Sequence, residues 1–298
     1  MFSKIIVAHD HRDGGQDALA LGRVLAQPSD AEIVLVGVIP VGMMPADIEY
    51  IWRDEEHEFA RKIRAAAEDS DGEARVFHSH SVAKGLTDLS EEIGADLIVV
   101  GSSRRGKAGQ VVGGNVARQV LHGASCAVAV APVGYAEHEH EGLDSIVAGV
   151  DGMEDSQAAA RAAADLAAAF DADATLVSVL EPPPVVYGKG GGGLGGINEL
   201  KASQREQLQR SLDRAAGAFG SDQPETELVE GDPVDALSAA AADASLLVVG
   251  SRGYGPLGRV LLGATDSKLL DSAPAPMLVW PRRAEAPRTA EAATQGAS

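Results

Sequence analysis

The chain has 298 residues, enough for two domains of about 150. Hydrophobic residues make up 45% and aromatics only 4%, so the cores must be assembled from Ala, Val, Leu and Ile. A net charge of −19 sets the chain against nucleic-acid backbones and anionic membrane surfaces, and no apolar run approaches the ~18 residues of a membrane span.

Apolar spacing predicts a first strand over 5–8, ending at His9 and Asp10. The following helix has an apolar face of Ala18, Leu19, Leu21, Val24 and Leu25. A second strand over 33–39 is closed by Pro40. An amphipathic helix over 48–67 carries Trp52, Phe59 and Ile63. Then come a weak strand at 74–77, a helix at 86–93 and a continuous apolar strand at 97–100 that ends at Gly101. Residues 102–113 form a glycine-rich basic loop, followed by a helix at 116–121 and a strand at 127–131. Short apolar strands alternating with helices indicate a parallel sheet covered on both faces. The start MFSKIIVAHD reads as a strand and not as a secretion signal.

The pattern then restarts. Asp10 and Asp151 are 141 residues apart and Pro40 and Pro182 are 142 apart. Gly101 and Gly250, Gly114 and Gly263, and Pro132 and Pro281 are each 149 apart. An offset of 141–142 that steps to a constant 149 is a duplicated domain with one main insertion. The insertion falls in 182–196, whose run GKGGGGLGG reads as a flexible loop before a helix over 197–219, because no strand leads into it. The second half repeats strands at 146–150, 174–180, 246–250 and 277–280, with helix at Lys268–Leu270. The expected organisation is a first domain at 1–134, a linker at 135–144, a second domain at 145–282 and a disordered tail at 283–298. The linker's His138 and His140 alternate with glutamates; it reads as solvated, since nothing else there fixes a metal geometry.

The single cysteine, Cys126, excludes an intrachain disulfide and points to a reducing compartment, the cytoplasm. It lies in an apolar run and reads as a small core residue. His78, His80 and His122 are scattered and read as surface or core residues, not as bases. No Ser-His-Asp set, metal cluster or Walker lysine supports an enzyme.

The chemistry concentrates in 246–265, where a strand runs into five glycines within 14 residues and then into a helix. Such loops bring backbone N–H groups close to an anion. In open α/β sheets ligands bind at the carboxyl ends of strands, where the strand order reverses. Asp151 and Gly250 end the first and fourth strands, so they should face one crevice. Asp151 can accept from a ribose or base, or it can cap the next helix.

The spacing Gly250-x2-Gly253-x9-Gly263, the strand ending Asp151-Gly152 and the segment Gly231-Asp232-Pro233 resemble the universal stress protein family in its tandem form. The resemblance covers nearly the whole chain apart from linker and tail. It implies two Rossmann-like domains, each a five-stranded parallel sheet with helices on both faces, the last strands of the halves pairing as in a dimer fused into one chain. It further implies a non-catalytic stress-response regulator holding ATP, or AMP or ADP, with Mg2+ as a candidate counterion. By position, Gly149 and Asp151 would lie by the adenosine and Val179 by the adenine. Gly250, Ser251, Arg252, Gly253 and Gly255 would wrap ribose and phosphates, and Gly263, Ala264 and Thr265 would meet the phosphates through backbone amides. Weaker counterparts in the first half are Asp10, Val38, Gly101, Gly106, Gly114 and Asn115. Unidentified protein partners and a homodimer of the fused pair remain open.

The departures are specific. Ala264 stands where the family has a hydroxyl, and Asp266 puts a carboxylate beside the expected polyphosphate, unfavourable unless a metal bridges them or Arg252 offsets it. Weak binding of a less charged nucleotide is expected. In the first half Arg104 replaces a motif glycine, Asn115 replaces the hydroxyl, and Arg104, Arg105 and Lys107 make a basic loop read as solvated surface. The first half keeps its strands without these glycines, so those of the second half read as retained for a ligand, not for folding. The alternative is an ATP-independent interaction module with degenerate sites.

Overall fold

The computed structural model describes residues 1–10, 12–41, 49–70, 72–102, 108–182, 194–221, 223–251 and 263–281. The first half runs β1 (Lys4–Ala8), α1 (Asp13–Ala26), β2 (Glu32–Pro40), α2 (Glu49–Glu68), β3 (Glu73–Ser79), α3 (Val82–Ile93), β4 (Leu97–Gly101), α4 (Asn115–Gly123) and β5 (Ala127–Ala131). The second runs β6 (Ser145–Gly149), α5 (Glu154–Phe170), β7 (Asp173–Leu180), α6 (Leu194–Ala216), β8 (Glu225–Glu230), α7 (Pro233–Ala240), β9 (Leu246–Gly250), α8 (Ala264–Leu269) and β10 (Met277–Trp280). Each half is the expected five-stranded parallel sheet, and the two merge into one sheet of order β3-β2-β1-β4-β5-β10-β9-β6-β7-β8.

The join is antiparallel, β5 against β10, with Ala129 opposite Leu278 and Val128 and Val130 opposite Val279 and Met277. Ala129 and Leu278 are 149 residues apart, the repeat offset itself. Ala129 therefore faces its own duplicate, Val128 faces the duplicate of Val130 and Val130 that of Val128, and a pseudo-two-fold axis passes between Ala129 and Leu278. That is the geometry of an isologous dimer, carried here within one chain.

Side chains alternate across the sheet with period two, so each strand feeds two cores. On one face Ile5, Val7, Leu97, Val99, Leu246 and Val248 pack with α1 and α5. On the other, Ile6, Ile98, Val100, Leu247 and Val249 pack with α3, α4, α7 and α8. Both layers run through both halves. Small side chains dominate α5, where Ala159, Ala160, Ala162 and Ala163 are buried, as an aromatic-poor composition requires. Phe2 and Trp280, one from each half, pack with ring centroids 6.1 Å apart.

Several elements depart from the sequence expectations. Helix α3 begins at Val82, four residues before the predicted start, because the Ser81 hydroxyl accepts the Lys84 N–H at 3.1 Å and caps it. Helix α6 begins at Leu194, inside the glycine run, and ends at Ala216, with a 3-10 turn over Gly217–Phe219. The rest of that run lies outside the described residues, as does the tail. Strand β8, ETELVE, carries no apolar run, because as an edge strand it needs little burial.

The linker is anchored, not merely solvated. Residues 136–139 are exposed, but Tyr135 and Leu143 are buried and the His140 ring stacks on Tyr135 at 3.8 Å. Among the described residues no cluster of His, Cys, Asp or Glu has metal-binding geometry. Asp17 of α1, itself buried, accepts the Gly134 and Ala136 N–H groups at 3.0 and 2.9 Å. Burial raises the Asp17 carboxyl above its ordinary value, and these two N–H donors partly counter the rise. A carboxyl raised on folding favours the folded state fully below its unfolded value and loses that contribution as pH climbs through the folded value. Asp17→Ala leaves two amides without their acceptor and should cost about 1–3 kcal/mol in urea unfolding at neutral pH; an unchanged midpoint would show the anchor to be dispensable.

Cys126 is buried, as expected, and burial pushes its thiol up to about 12. Native protein should resist a thiol reagent at neutral pH and react only on unfolding. Rapid native labelling would contradict this environment. Among the described residues no helix is long and apolar enough to cross a membrane.

Candidate functional site

In each half the strand order reverses between the first and fourth strands, β1 beside β4 and β6 beside β9. The registers place the carboxyl ends side by side. Ala148 pairs with Val248 and Gly149 with Val177. Continuing each strand by two or three residues brings Val179, Asp151 and Ser251 level across β7, β6 and β9. Asp151 and Ser251 thus follow the two strands that flank the switch point, with Val179 on the next strand, β7.

Asp151 is exposed, and one carboxylate oxygen accepts the Met153 N–H at 2.9 Å just ahead of α5. Asp10 does the same with the Arg12 N–H at 3.1 Å. Each aspartate closes a turn onto the N-cap residue, Arg12 or Met153, and neither leading helix has a side-chain cap of its own. That turn does not consume the carboxylate, whose two oxygens accept about four hydrogen bonds. The Asp151 N–H donates to Ser156 Oγ at 3.2 Å, which fixes the turn. Val179 is half-buried and packs on the α7 face, whereas Val38 in the first half is buried.

Ser251 is 1% exposed, and its Oγ has no hydrogen-bond partner among the described residues. Its duplicate Ser102 is fully used, donating to the Ala131 carbonyl at 2.7 Å and accepting the Val112 N–H at 3.0 Å. Both serines keep the same main-chain bond, Ser102 N–H to Ala131 O and Ser251 N–H to Trp280 O. The difference lies in the hydroxyl alone.

The strand-end glycines have a structural cause. A Cβ on Gly101 would lie 1.9 Å from the Gly14 carbonyl oxygen. On Gly250 it would lie 2.5 Å from the Asp155 carbonyl. In both halves the first turn of the leading helix crosses against the end of the fourth strand. Gly250 is therefore required by packing, which corrects the expectation that the retained glycines are independent of folding. At Gly149 a Cβ would stand 3.4 Å from Leu237 side-chain carbons, an ordinary contact, so packing does not demand glycine there as it does at Gly250. Gly231, at φ +150°, leads into Asp232, which caps α7 by accepting the Val234 and Asp235 N–H groups.

Gly263 is the N-cap of α8, and its N–H donates to the buried Asp266 carboxylate at 3.2 Å. The position expected to meet phosphate already meets a carboxylate. Thr265 is half-buried in the first turn, and of Ala264 only its place at the start of α8 is described. Arg252, Gly253 and Gly255 lie outside the described residues, as do Arg104, Arg105, Gly106 and Lys107.

The first-half loop has another use. Val111 and Gly113 donate their N–H groups to the Ala273 and Leu270 carbonyls of the second half at 2.8 and 2.7 Å. Arg118 pairs with Asp271, and a Cβ on Gly113 would lie 2.5 Å from Leu270 Cγ. Gly114 caps α4 and Asn115 is exposed at its first turn. Residues 111–118 are thus built into the seam, while Arg104, Arg105 and Lys107, the basic residues read as solvated surface, lie outside the described residues.

These features define a tandem pair of Rossmann-like units joined through their last strands. The universal stress protein family model matches residues 1–132 and 142–281. The chain belongs to the universal stress protein family. A universal stress protein of Mycolicibacterium smegmatis is 36% identical over 138 residues, 45% of this chain and 47% of that one, so the match spans just under half of that relative. A Mycobacterium bovis universal stress protein is 27% identical over 208 residues, 67% of this chain and 69% of its own length. The crystal structure of a universal stress protein from Archaeoglobus fulgidus has a TM-score of 0.61 at 19% identity, covering 94% of this chain and 96% of that one, a likeness of fold.

Proposed function

We propose that the protein is a non-catalytic stress-response regulator that binds an adenine nucleotide in the crevice of its second half. The observation that carries this reading is the buried Ser251 hydroxyl at the switch point, without a partner among the described residues and level with Asp151 and Val179. A buried hydroxyl left without a hydrogen bond is costly, and a ligand group would satisfy it. Asp151 is suited to a ribose hydroxyl, Val179 to an apolar base face, and Gly149, Gly250, Arg252, Gly253, Gly255, Gly263, Ala264 and Thr265 to the surrounding backbone. The seam contacts of residues 111–118 favour a structural role for the corresponding segment of the first half. Protein partners and a homodimer of the fused pair belong to the same proposal, as does a cytoplasmic setting.

Isothermal titration of the full chain with AMP tests this. Binding is expected for the wild type, weakened about tenfold or more in Asp151→Ala by loss of a charge-assisted hydrogen bond. No binding heat from the wild type overturns the reading.

A further inference from the structure

Because β5 and β10 run antiparallel, the end of β5 lies beside the start of β10. The linker leaves the first half at this point, and a cavity of about 290 Å³ opens between it and the second half. Pro132 at the end of β5 and Pro276 ahead of β10 line it from the two halves, and Tyr135, His138 and His140 line it from the linker. Asp243, exposed ahead of β9, completes the lining. The cavity thus sits at the amino end of β9, whereas Ser251 follows its carboxyl end. It is therefore at the opposite edge of the sheet from the second-half crevice.

Tyr135 is 7% exposed, and the His140 ring lies flat on its ring at 3.8 Å. Burial alone raises the Tyr135 hydroxyl to about 12, and no hydrogen bond from a described residue contributes. The His140 Nε2 meets the Tyr135 carbonyl at 2.9 Å. A carbonyl only accepts, so Nε2 carries the hydrogen and Nδ1 of the neutral ring is an acceptor. Asp243 adds a carboxylate, and no lysine or arginine lines the cavity. The lining offers acceptors, aromatic faces and apolar proline walls, a set that suits a ligand with donors and a positive charge. Among the described residues His138, His140 and Asp243 form no metal-binding group, so the matching cation is organic. The volume stands at the lower end of ligand pockets, ~300–1,000 Å³, with room for one ring. We propose that this cavity is a second ligand site, which takes a single-ring organic cation of the aromatic ammonium kind. The ring packs against Tyr135 and the prolines, and the ammonium donates to Asp243.

The test is an NMR titration of the full chain, through its amide signals, with benzylammonium, benzyl alcohol and benzoate at pH 8, where imidazole is ordinarily neutral. The three probes share a ring and differ in charge. Benzylammonium should shift the amides of Gly109, Gly134 and Gly142, which line the cavity. It should bind about threefold to fivefold more tightly than benzyl alcohol, the scale of one partly exposed charge contact, and benzoate should bind more weakly still. Asp243→Asn, an exposed substitution whose folding is checked by thermal unfolding, should remove that advantage and leave benzyl alcohol unchanged. No shift at these amides with any probe overturns the proposal. So does benzoate or benzyl alcohol binding as tightly as benzylammonium, or an unchanged benzylammonium affinity in Asp243→Asn. Shifts centred on Asp151 and Ser251 instead would place the probe in the crevice and also overturn it. The nucleotide reading stands or falls separately, since its residues lie at the other sheet edge.

Discussion

Gly101→Ala is expected to cost about 3 kcal/mol or more, the upper range for forcing an atom into a filled core. The added Cβ would lie 1.9 Å from the Gly14 carbonyl oxygen and under 3 Å from two more Gly14 backbone atoms. Backbone cannot swing aside as a flexible side chain can, so α1 must shift off the end of β4. Gly250→Ala presses on the Asp155 backbone at 2.5 Å and should cost a similar amount, about 2–3 kcal/mol. Urea unfolding of the ligand-free protein measures both. If Gly250→Ala left stability unchanged but impaired nucleotide binding, the packing account would be wrong and a ligand would explain the glycine. If both substitutions destabilise without ligand, the strand-end glycine belongs to the fold in each half.

Leu278→Ala should destabilise by about 2–5 kcal/mol, the range for truncating a fully buried leucine. Leu278 lies beside the pseudo-two-fold axis, opposite Ala129, and contributes to the core layer that spans both halves. Ala129 has no bulk with which to refill the space. The loss should therefore register at the seam, with the amides of Val128 and Val130 exchanging faster relative to those of β1 and β6. Uniform acceleration across all strands would instead mean that the seam opens only with global unfolding. Unchanged stability would show that the two halves do not share a core through β10.

Much of the architecture could be read from local pattern. Continuous apolar runs such as 97–100 and 246–249 mark strands buried on both faces, and the offset of 149 exposes the duplication. Strand β8 escaped because its glutamates alternate with few apolar residues, and an edge strand is held by main-chain pairing to β7 more than by burial. The start of α3 depended on one serine hydroxyl, a signal that composition does not register.

For the site, sequence reasoning placed Asp151 and the strand ends correctly at one switch point, because parallel topology leaves few other arrangements. It could not tell which glycines serve packing. The answer lies in the approach of α5 to β9, between residues almost 100 positions apart. It noticed Asp266 as a charge out of place but could not show that this carboxylate already holds the Gly263 N–H. Nor could it show that residues 111–118 bind the other half.

The sequence by itself determined the repeat, the parallel α/β units, the inert buried cysteine and the residues brought to the carboxyl edge, since these follow from periodicity and chain order. Only the tertiary structure decided that two cores become continuous layers, that the linker is pinned by Asp17, and that Ser251 and Ser102 differ in their hydroxyl bonds. Those outcomes depend on close approach between segments distant along the chain, where a separation of an ångström distinguishes a packed glycine, a satisfied hydroxyl and a place for a ligand.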